Sequence, residues 1–214
     1  MSRSPEMTPG FKIYIITDSK LFQKPAAMLR RIRYLLKIAP TGSAAVCLRE
    51  NHLEDRRLLE LAMRLRKLTA RRGAVLTVNR RLDVALACDA DGVHLGKNTV
   101  SIEEAGKLLE GKLIGYSAHD ADEAARVFRR GADFVTISPV FSSPGKGTAI
   151  GLEGLRATVT KCGKNPVFAL GGIDASNIPG VFRQGARGVS FIRAALTAQR
   201  PSNVIRAVFS DHVV

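Results

Sequence analysis

The chain has no tryptophan, and aromatic residues make up only 6% of its 214 positions. That scarcity argues against a stacking surface for single-stranded nucleic acid, which needs aromatic faces interleaved with basic groups. Cysteine is equally sparse. Cys47, Cys88 and Cys162 are odd in number and show no CxxC spacing, so they read as buried thiols in a reducing compartment, not as a disulfide framework or metal site. No stretch of 18 apolar residues occurs, and the opening MSRSPEMTPG is polar, broken by Pro and Gly, with no apolar signal core behind it. Neither a membrane partner nor a secretory leader is expected, and the expected location is the cytoplasm. Residues 1–10 read as a flexible N-terminal segment ahead of one domain at 11–214.

Acidic residues are the other shortage. Against 33 Lys and Arg stand 19 Asp and Glu, a formal net charge of +14. Such a balance occurs in nucleic-acid binders. Here, however, the basic residues gather in helix-like stretches: LRRIRYLLK at 29–37, RRLLELAMRLRKLTARR at 56–72 and VFRR at 127–130. Solvated outer helix faces and an attraction for anionic small molecules account for that pattern, and no nucleic-acid partner is expected. Self-association into a homo-oligomer is left open.

What the sequence does have is alternation. Eight short β-rich apolar runs lie at 12–17, 43–48, 74–78, 92–95, 112–117, 133–138, 166–170 and 188–192. Helical patterns separate them, such as Leu58, Leu61, Ala62, Leu65 and Leu68 at helical spacing. Ser101 followed by Glu104 predicts a capping box, and Gly131 and Gly185 stand where helices should end. Continuously apolar strands point to parallel strands buried on both faces, and eight such units in this length fit a (β/α)8 TIM barrel.

In that architecture the functional site lies where the strands end. The candidates are Thr17 and Asp18 after strand one, Arg49, Glu50 and Asn51 after strand two, and Asn79, Arg80 and Arg81 after strand three. Strand four carries His94 and leads to Gly96 and Lys97. Ser117 and His119 end strand five, the loop SPVFSSPGKG follows strand six, Gly171 and Gly172 follow strand seven, and Ile192 and Arg193 follow strand eight. Gly171, Gly172 and Gly188 are read as allowing backbone N–H groups to approach an anion, helped by a short helix after Ile192. The simpler alternative is that these glycines only make tight turns.

ITD at 16–18, LRE at 48–50, VNRRLDVALACDADGVHLG at 78–96, GYSAH at 115–119, SPVFSSPGKG at 138–147, GLEGL at 151–155 and ALGGI at 169–173 resemble the thiamine phosphate synthase superfamily, in order from about residue 11 to residue 196. The resemblance implies a (β/α)8 barrel from one of two branches. Synthases join an aminopyrimidine pyrophosphate to a thiazole phosphate with Mg²⁺. Thiazole tautomerases aromatise a thiazole carboxylate phosphate without metal.

The synthase pattern implies a Q-L-R-E-K stretch where this chain has Cys47-Leu48-Arg49-Glu50-Asn51. It also implies metal-ligating Asp residues where Arg80 and Thr99 stand. A guanidinium cannot ligate Mg²⁺, although Arg80 could supply the metal's charge to a phosphate. With four positions changed together, the expected activity is that of a thiazole tautomerase-like isomerase. His119 would be the general acid/base of proton transfer. Arg49, Asn79, Ser117, Ser143, Lys146, Gly171, Gly172, Ile192 and Arg193 would hold a thiazole phosphate. No metal site and no cofactor are expected. The alternatives are a synthase with an altered Mg²⁺ and pyrophosphate site, which would bring Mg²⁺ back as cofactor, and a barrel that binds thiamine-related phosphates without turnover. His94 is read as a core group, His52 and His212 as solvated, and Cys47 as a buried thiol.

Overall fold

The structure is a computed structural model that describes residues 9–210. Eight parallel strands close into a barrel in sequence order, β1 pairing with both β2 and β8. They are β1 Ile13–Ile16, β2 Ala44–Leu48, β3 Val75–Asn79, β4 Gly92–Leu95, β5 Leu113–Ala118, β6 Phe134–Ile137, β7 Val167–Leu170 and β8 Gly188–Phe191. Each coincides within a residue or so with an apolar run of the sequence. Residues 1–8 of the N-terminal segment, and His212, lie outside the described residues. Pro9 is buried, and its carbonyl accepts hydrogen bonds from the Arg187 guanidinium at 3.1 and 3.3 Å.

The helices are α1 Pro25–Ile38, α2 Asp55–Ala70, α3 Leu82–Ala87, α4 Ile102–Leu108, α5 Ala121–Arg129, α6 Gly151–Cys162, α7 Ile178–Arg183, α8 Arg193–Leu196 and α9 Pro201–Phe209. In α2 the buried residues are Leu58, Leu61, Ala62, Leu65 and Thr69. Such a stripe packs against the strands, and each leucine it buries contributes about 1.5–3 kcal/mol. The capping box forms at α4: Ser101 accepts from the Glu104 N–H, and the Glu104 carboxylate accepts from the Ser101 N–H. Gly131 and Gly185 adopt φ of 100° and 83° one residue past the caps of α5 and α7, a left-handed stop that glycine makes without Cβ strain.

Side chains on alternate strand positions divide into two cores. The outward set, including Ile13, Ile15, Val46, Leu76 and Val93, packs under the helices. The inward set fills the barrel: Phe11, Tyr14, Ile16, Ala45, Cys47, Phe134 and Phe168 are buried together. Ring centroids within the plug lie 4.9 Å apart for Phe11–Phe168, 5.5 Å for Phe11–Phe134 and 5.3 Å for Tyr14–Phe134. The barrel is therefore solid below its C-terminal mouth.

Glycines make that plug fit. A Cβ on Gly115 would lie 2.3 Å from the Phe134 ring and 2.6 Å from His94 Nδ1. One on Gly188 would lie 2.3 Å from the Lys12 carbonyl. Gly188 begins β8, at the end opposite the mouth, so the expectation that it helps to receive an anion is corrected: it lets the strands pack. We expect Gly115→Ala to lower the unfolding free energy by about 1–3 kcal/mol in urea denaturation. Gly147→Ala, with nothing within 4 Å of the new methyl, should change it by less than about 0.5 kcal/mol. Equal stability of the two variants would contradict the packing described.

Candidate active site

Because all strands run the same way, the residues that follow them share one mouth. At its β1–β2 side the Arg49 N–H donates to the Thr17 hydroxyl at 2.9 Å. The positive charge of Arg49 is felt inside the barrel, where it opposes protonation of His94 and favours ionisation of Cys47. Glu50 is buried and already engaged: its carboxylate accepts the Ser19 N–H at 2.9 and 3.0 Å and the Ser19 hydroxyl at 2.6 Å. His52 is exposed, with its Nδ1 3.8 Å from Glu50. Beside these groups a cavity of about 280 Å³ is lined by Glu50, Asn51, Asn79, Arg80 and Arg81 over an apolar floor of Leu48, Leu53 and Leu58. Asn79 closes on Asn51 through an Nδ2···Oδ1 contact of 3.4 Å.

Arg80 has φ of 66°, a left-handed conformation that costs a residue with a Cβ roughly 1 kcal/mol or more. It is held there by its N–H, which donates to the His94 carbonyl at 3.0 Å, and by its guanidinium, which donates to the Asn98 carbonyl. It thus ties the end of β3 to the loop after β4. Arg81 differs. It pairs with Asp55 and Asp83, and those hydrogen bonds, first that from Asp83, raise its pKa. Among the described residues, Arg49, Arg80, Lys97, Lys146 and Arg193 form no ion pair.

Under the mouth runs a buried polar chain. Tyr14 Oη lies 2.6 Å from Thr77 Oγ1 and 3.1 Å from His94 Nδ1, and His94 Nε2 lies 2.9 Å from Ser117 Oγ. Burial first, then the Arg49 charge, lowers the His94 pKa to about 3. A neutral imidazole has one donor and one acceptor nitrogen, and both are satisfied here. His94 is a core residue that orients Ser117. Cys47 is a buried thiol whose pKa desolvation raises.

On the opposite side His119 is exposed just past β5. Its N–H donates to Glu123 at 2.9 Å, and its Nδ1 lies 3.4 Å from the Ser138 carbonyl. A carbonyl only accepts, so Nδ1 carries the proton in that contact. Gly171 and Gly172 have φ of 97° and 63°. A Cβ on Gly171 would stand 2.9 Å from Pro139, and one on Gly172 2.6 Å from Phe141. The glycines thus let the 138–150 loop lie across the end of β7, where the Phe141 N–H bonds to the Gly171 carbonyl at 3.0 Å. In the same loop the Lys146 N–H closes a turn on the Ser143 carbonyl at 3.2 Å and leaves the Lys146 side chain exposed. Ile192 is half-buried and Arg193 exposed where β8 passes into the short α8.

Residues 13–195 match the family described as thiamine monophosphate synthase. The thiamine-phosphate synthase of Chloroflexus aurantiacus is 39% identical over 192 residues, covering 88% of this chain and 86% of the relative. That of Moorella thermoacetica is 44% identical over 195 residues, covering 89% and 90%. Among solved structures, a thiamine phosphate pyrophosphorylase from Pyrococcus furiosus superposes with a TM-score of 0.83 at 33% identity, covering 95% of this chain and 96% of the other. The chain belongs to the thiamine monophosphate synthase family.

Family membership corrects the functional expectation. The isomerase reading gave most weight to four substituted positions, yet relatives up to 44% identical over nearly their whole length are named synthase, a transferase.

The family also brings Mg²⁺ as an expectation, and the residues present do not fit it. Mg²⁺ takes hard oxygen ligands in an octahedral shell. Position 80 offers a guanidinium. At position 99 the Thr hydroxyl is engaged within its own loop, donating to the Gly96 carbonyl at 2.7 Å. The nearby Glu50 carboxylate already accepts the Ser19 N–H on both oxygens and the Ser19 hydroxyl on one. Among the described residues no three His, Cys, Asp or Glu side chains group so as to hold a metal ion.

Sequence reasoning missed Glu123, which is buried, accepts from both the His119 N–H and the Tyr116 hydroxyl, and is itself capped by Asp120 at 2.7 Å. Its signal was the Asp120-x-x-Glu123 spacing at the start of α5. The left-handed backbone of Arg80 and the Tyr14–Thr77–His94 chain had no local signal.

The buried His94 makes a pH prediction. Its pKa is near 6.5 when unfolded and about 3 when folded, so between these values the unfolded chain binds the extra proton. The stability involved is intact above about pH 6.5 and is lost as pH falls toward 3. Urea denaturation should show a loss of about 1–2 kcal/mol between pH 7.5 and pH 5 that is absent from His94→Gln. The same pH slope in both proteins would refute the assignment.

Proposed function

We propose that the chain is a thiamine-phosphate synthase-type transferase, joining an aminopyrimidine diphosphate ester to a thiazole phosphate at the barrel mouth. The observation that carries this reading is its 39–44% identity, over nearly full length, to the synthases of Chloroflexus and Moorella. The mouth supports it with unpaired cations suited to two anionic substrates, set over a sealed interior.

In the coupling, the thiazole ring nitrogen gives its electron pair to the methylene carbon of the pyrimidine. The carbon–oxygen bond to diphosphate breaks, and diphosphate leaves with the two electrons of that bond. The rate depends on holding the two reactants in line and on meeting the charge that builds on the leaving group. We assign the thiazole phosphate to the N–H groups of Gly171 and Gly172 and to Ile192 and Arg193, with Ser143 and Lys146 closing over it. Gly171 and Gly172 N–H make no hydrogen bond among the described residues, so they are available to an anion. Asn79 and Ser117 offer hydrogen bonds to the heterocycles, Ser117 being fixed by His94. His119, with Nδ1 turned to the Ser138 carbonyl, presents Nε2 to the ligand. Arg49 faces the diphosphate side.

The lost metal carboxylates favour one rival, a barrel that binds these phosphates without turnover. Purified protein given both substrates should release thiamine phosphate and diphosphate in equal amounts. His119→Ala should lower kcat/KM about tenfold or more through a lost hydrogen bond to the ligand, whereas Arg71→Glu, on the exposed end of α2, should leave it unchanged. Tight binding of both substrates with no product would establish the rival. Neither binding nor product would refute both.

A further inference from the structure

We infer that Arg80 is the fixed cation of a metal-free diphosphate site between the ends of β3 and β4. The identity of the ligand, a diphosphate monoester, rests on the reaction proposed above. The cation's placement rests on independent observations.

Arg80 occupies one of the two positions where the family resemblance expects a metal-ligating carboxylate, and it reaches across to the loop that holds the other. Its guanidinium is anchored on the Asn98 carbonyl, one residue from Thr99. Its backbone is kept at φ 66° by the His94 carbonyl. A strained, doubly anchored arginine at a cavity rim is placed, not loose, and strain of this kind gathers at ligand-binding positions. The charge is also uncommitted. Its neighbour Arg81 is neutralised by Asp55 and Asp83, whereas Arg80 has no acidic partner among the described residues. Only one of its donors is used by Asn98, which leaves further N–H groups for phosphate oxygens in the forked geometry that guanidinium offers. Arg49 on the adjacent strand end and exposed Lys97 add two more unpaired cations. A divalent ion brought to this rim would meet the Arg80 guanidinium, and the one carboxylate in the cavity wall, Glu50, is already engaged by Ser19. A diphosphate would meet the charge that the metal otherwise supplies.

The test is isothermal titration of inorganic pyrophosphate into the full chain, in chelator and then in Mg²⁺, with turnover not used as a readout. Pyrophosphate should bind in chelator, and Mg²⁺ should fail to tighten it, because the ion competes for the ligand. Arg80→Gly removes the cation while placing at φ 66° the residue that tolerates it, so the fold is retained, as circular dichroism can verify. It should weaken binding on the order of 10- to 100-fold. Arg80→Lys should recover only part of that loss, and Arg71→Glu should bind like the unmodified chain. Binding that requires Mg²⁺, or Arg80→Gly binding as tightly as the unmodified chain, would overturn the inference. The two proposals fail separately. Metal-free binding without turnover upholds this site and sinks the reaction, and turnover with Mg²⁺-dependent binding does the reverse.

Discussion

The constraint on which this molecule depends is the filling of the barrel. Eight parallel strands of four to six residues leave an interior that must be packed or wet, and here aromatic rings pack it. Phe11, Tyr14, Phe134 and Phe168 form a plug, and Gly115 and Gly188 keep the space those rings need. The plug carries a polar roof in which Tyr14, Thr77, His94 and Ser117 satisfy one another. Each of these four is paired, which offsets the cost of removing it from water. With the interior closed, Arg49, Arg80 and His119 stand at the mouth above it, and among the described residues Ser190 Oγ is the buried side-chain polar atom left without a partner.

The mouth is shaped by how its acids are spent. Glu50 is consumed by Ser19, Glu123 by His119 and Tyr116, and Asp55 and Asp83 by Arg81. The cations are not matched in the same way, so the surplus of base in the sequence becomes a surplus at the rim. A family whose chemistry expels diphosphate needs positive charge there, from a metal or from the chain. In this chain the carboxylates that would recruit a metal are absent at positions 80 and 99, and side-chain cations stand in the same neighbourhood. Replacing a mobile divalent ion by an anchored guanidinium exchanges charge density for preorganisation.

Much of this was legible before the fold. The eight apolar runs gave the strands because parallel, doubly buried strands leave an unbroken apolar signature. Ser101 with Glu104, and Gly131 and Gly185, marked helix ends through local hydrogen bonding and φ. Position after a strand was enough to gather Arg49, Asn79, His119, Gly171 and Arg193 at one end. What was not legible depends on long-range contact. Gly171 and Gly172 read as an anion cradle, yet their positive φ and the close Pro139 and Phe141 also serve to seat the 138–150 loop. Gly188 read as part of the same cradle and lies at the other end of its strand. The altered positions 47, 51, 80 and 99 read as evidence for an isomerase because sequence shows which ligand groups are missing. It does not show that Arg80 is anchored across two loops.

The most direct measurement of the account is a crystal structure of the chain with pyrophosphate, grown in the presence of chelator. The account predicts phosphate oxygens within about 3 Å of the Arg80 guanidinium, between the ends of β3 and β4, with the Asn98 carbonyl still bound. A diphosphate lying away from Arg80, or ordered only when Mg²⁺ bridges it to protein oxygens, would contradict it.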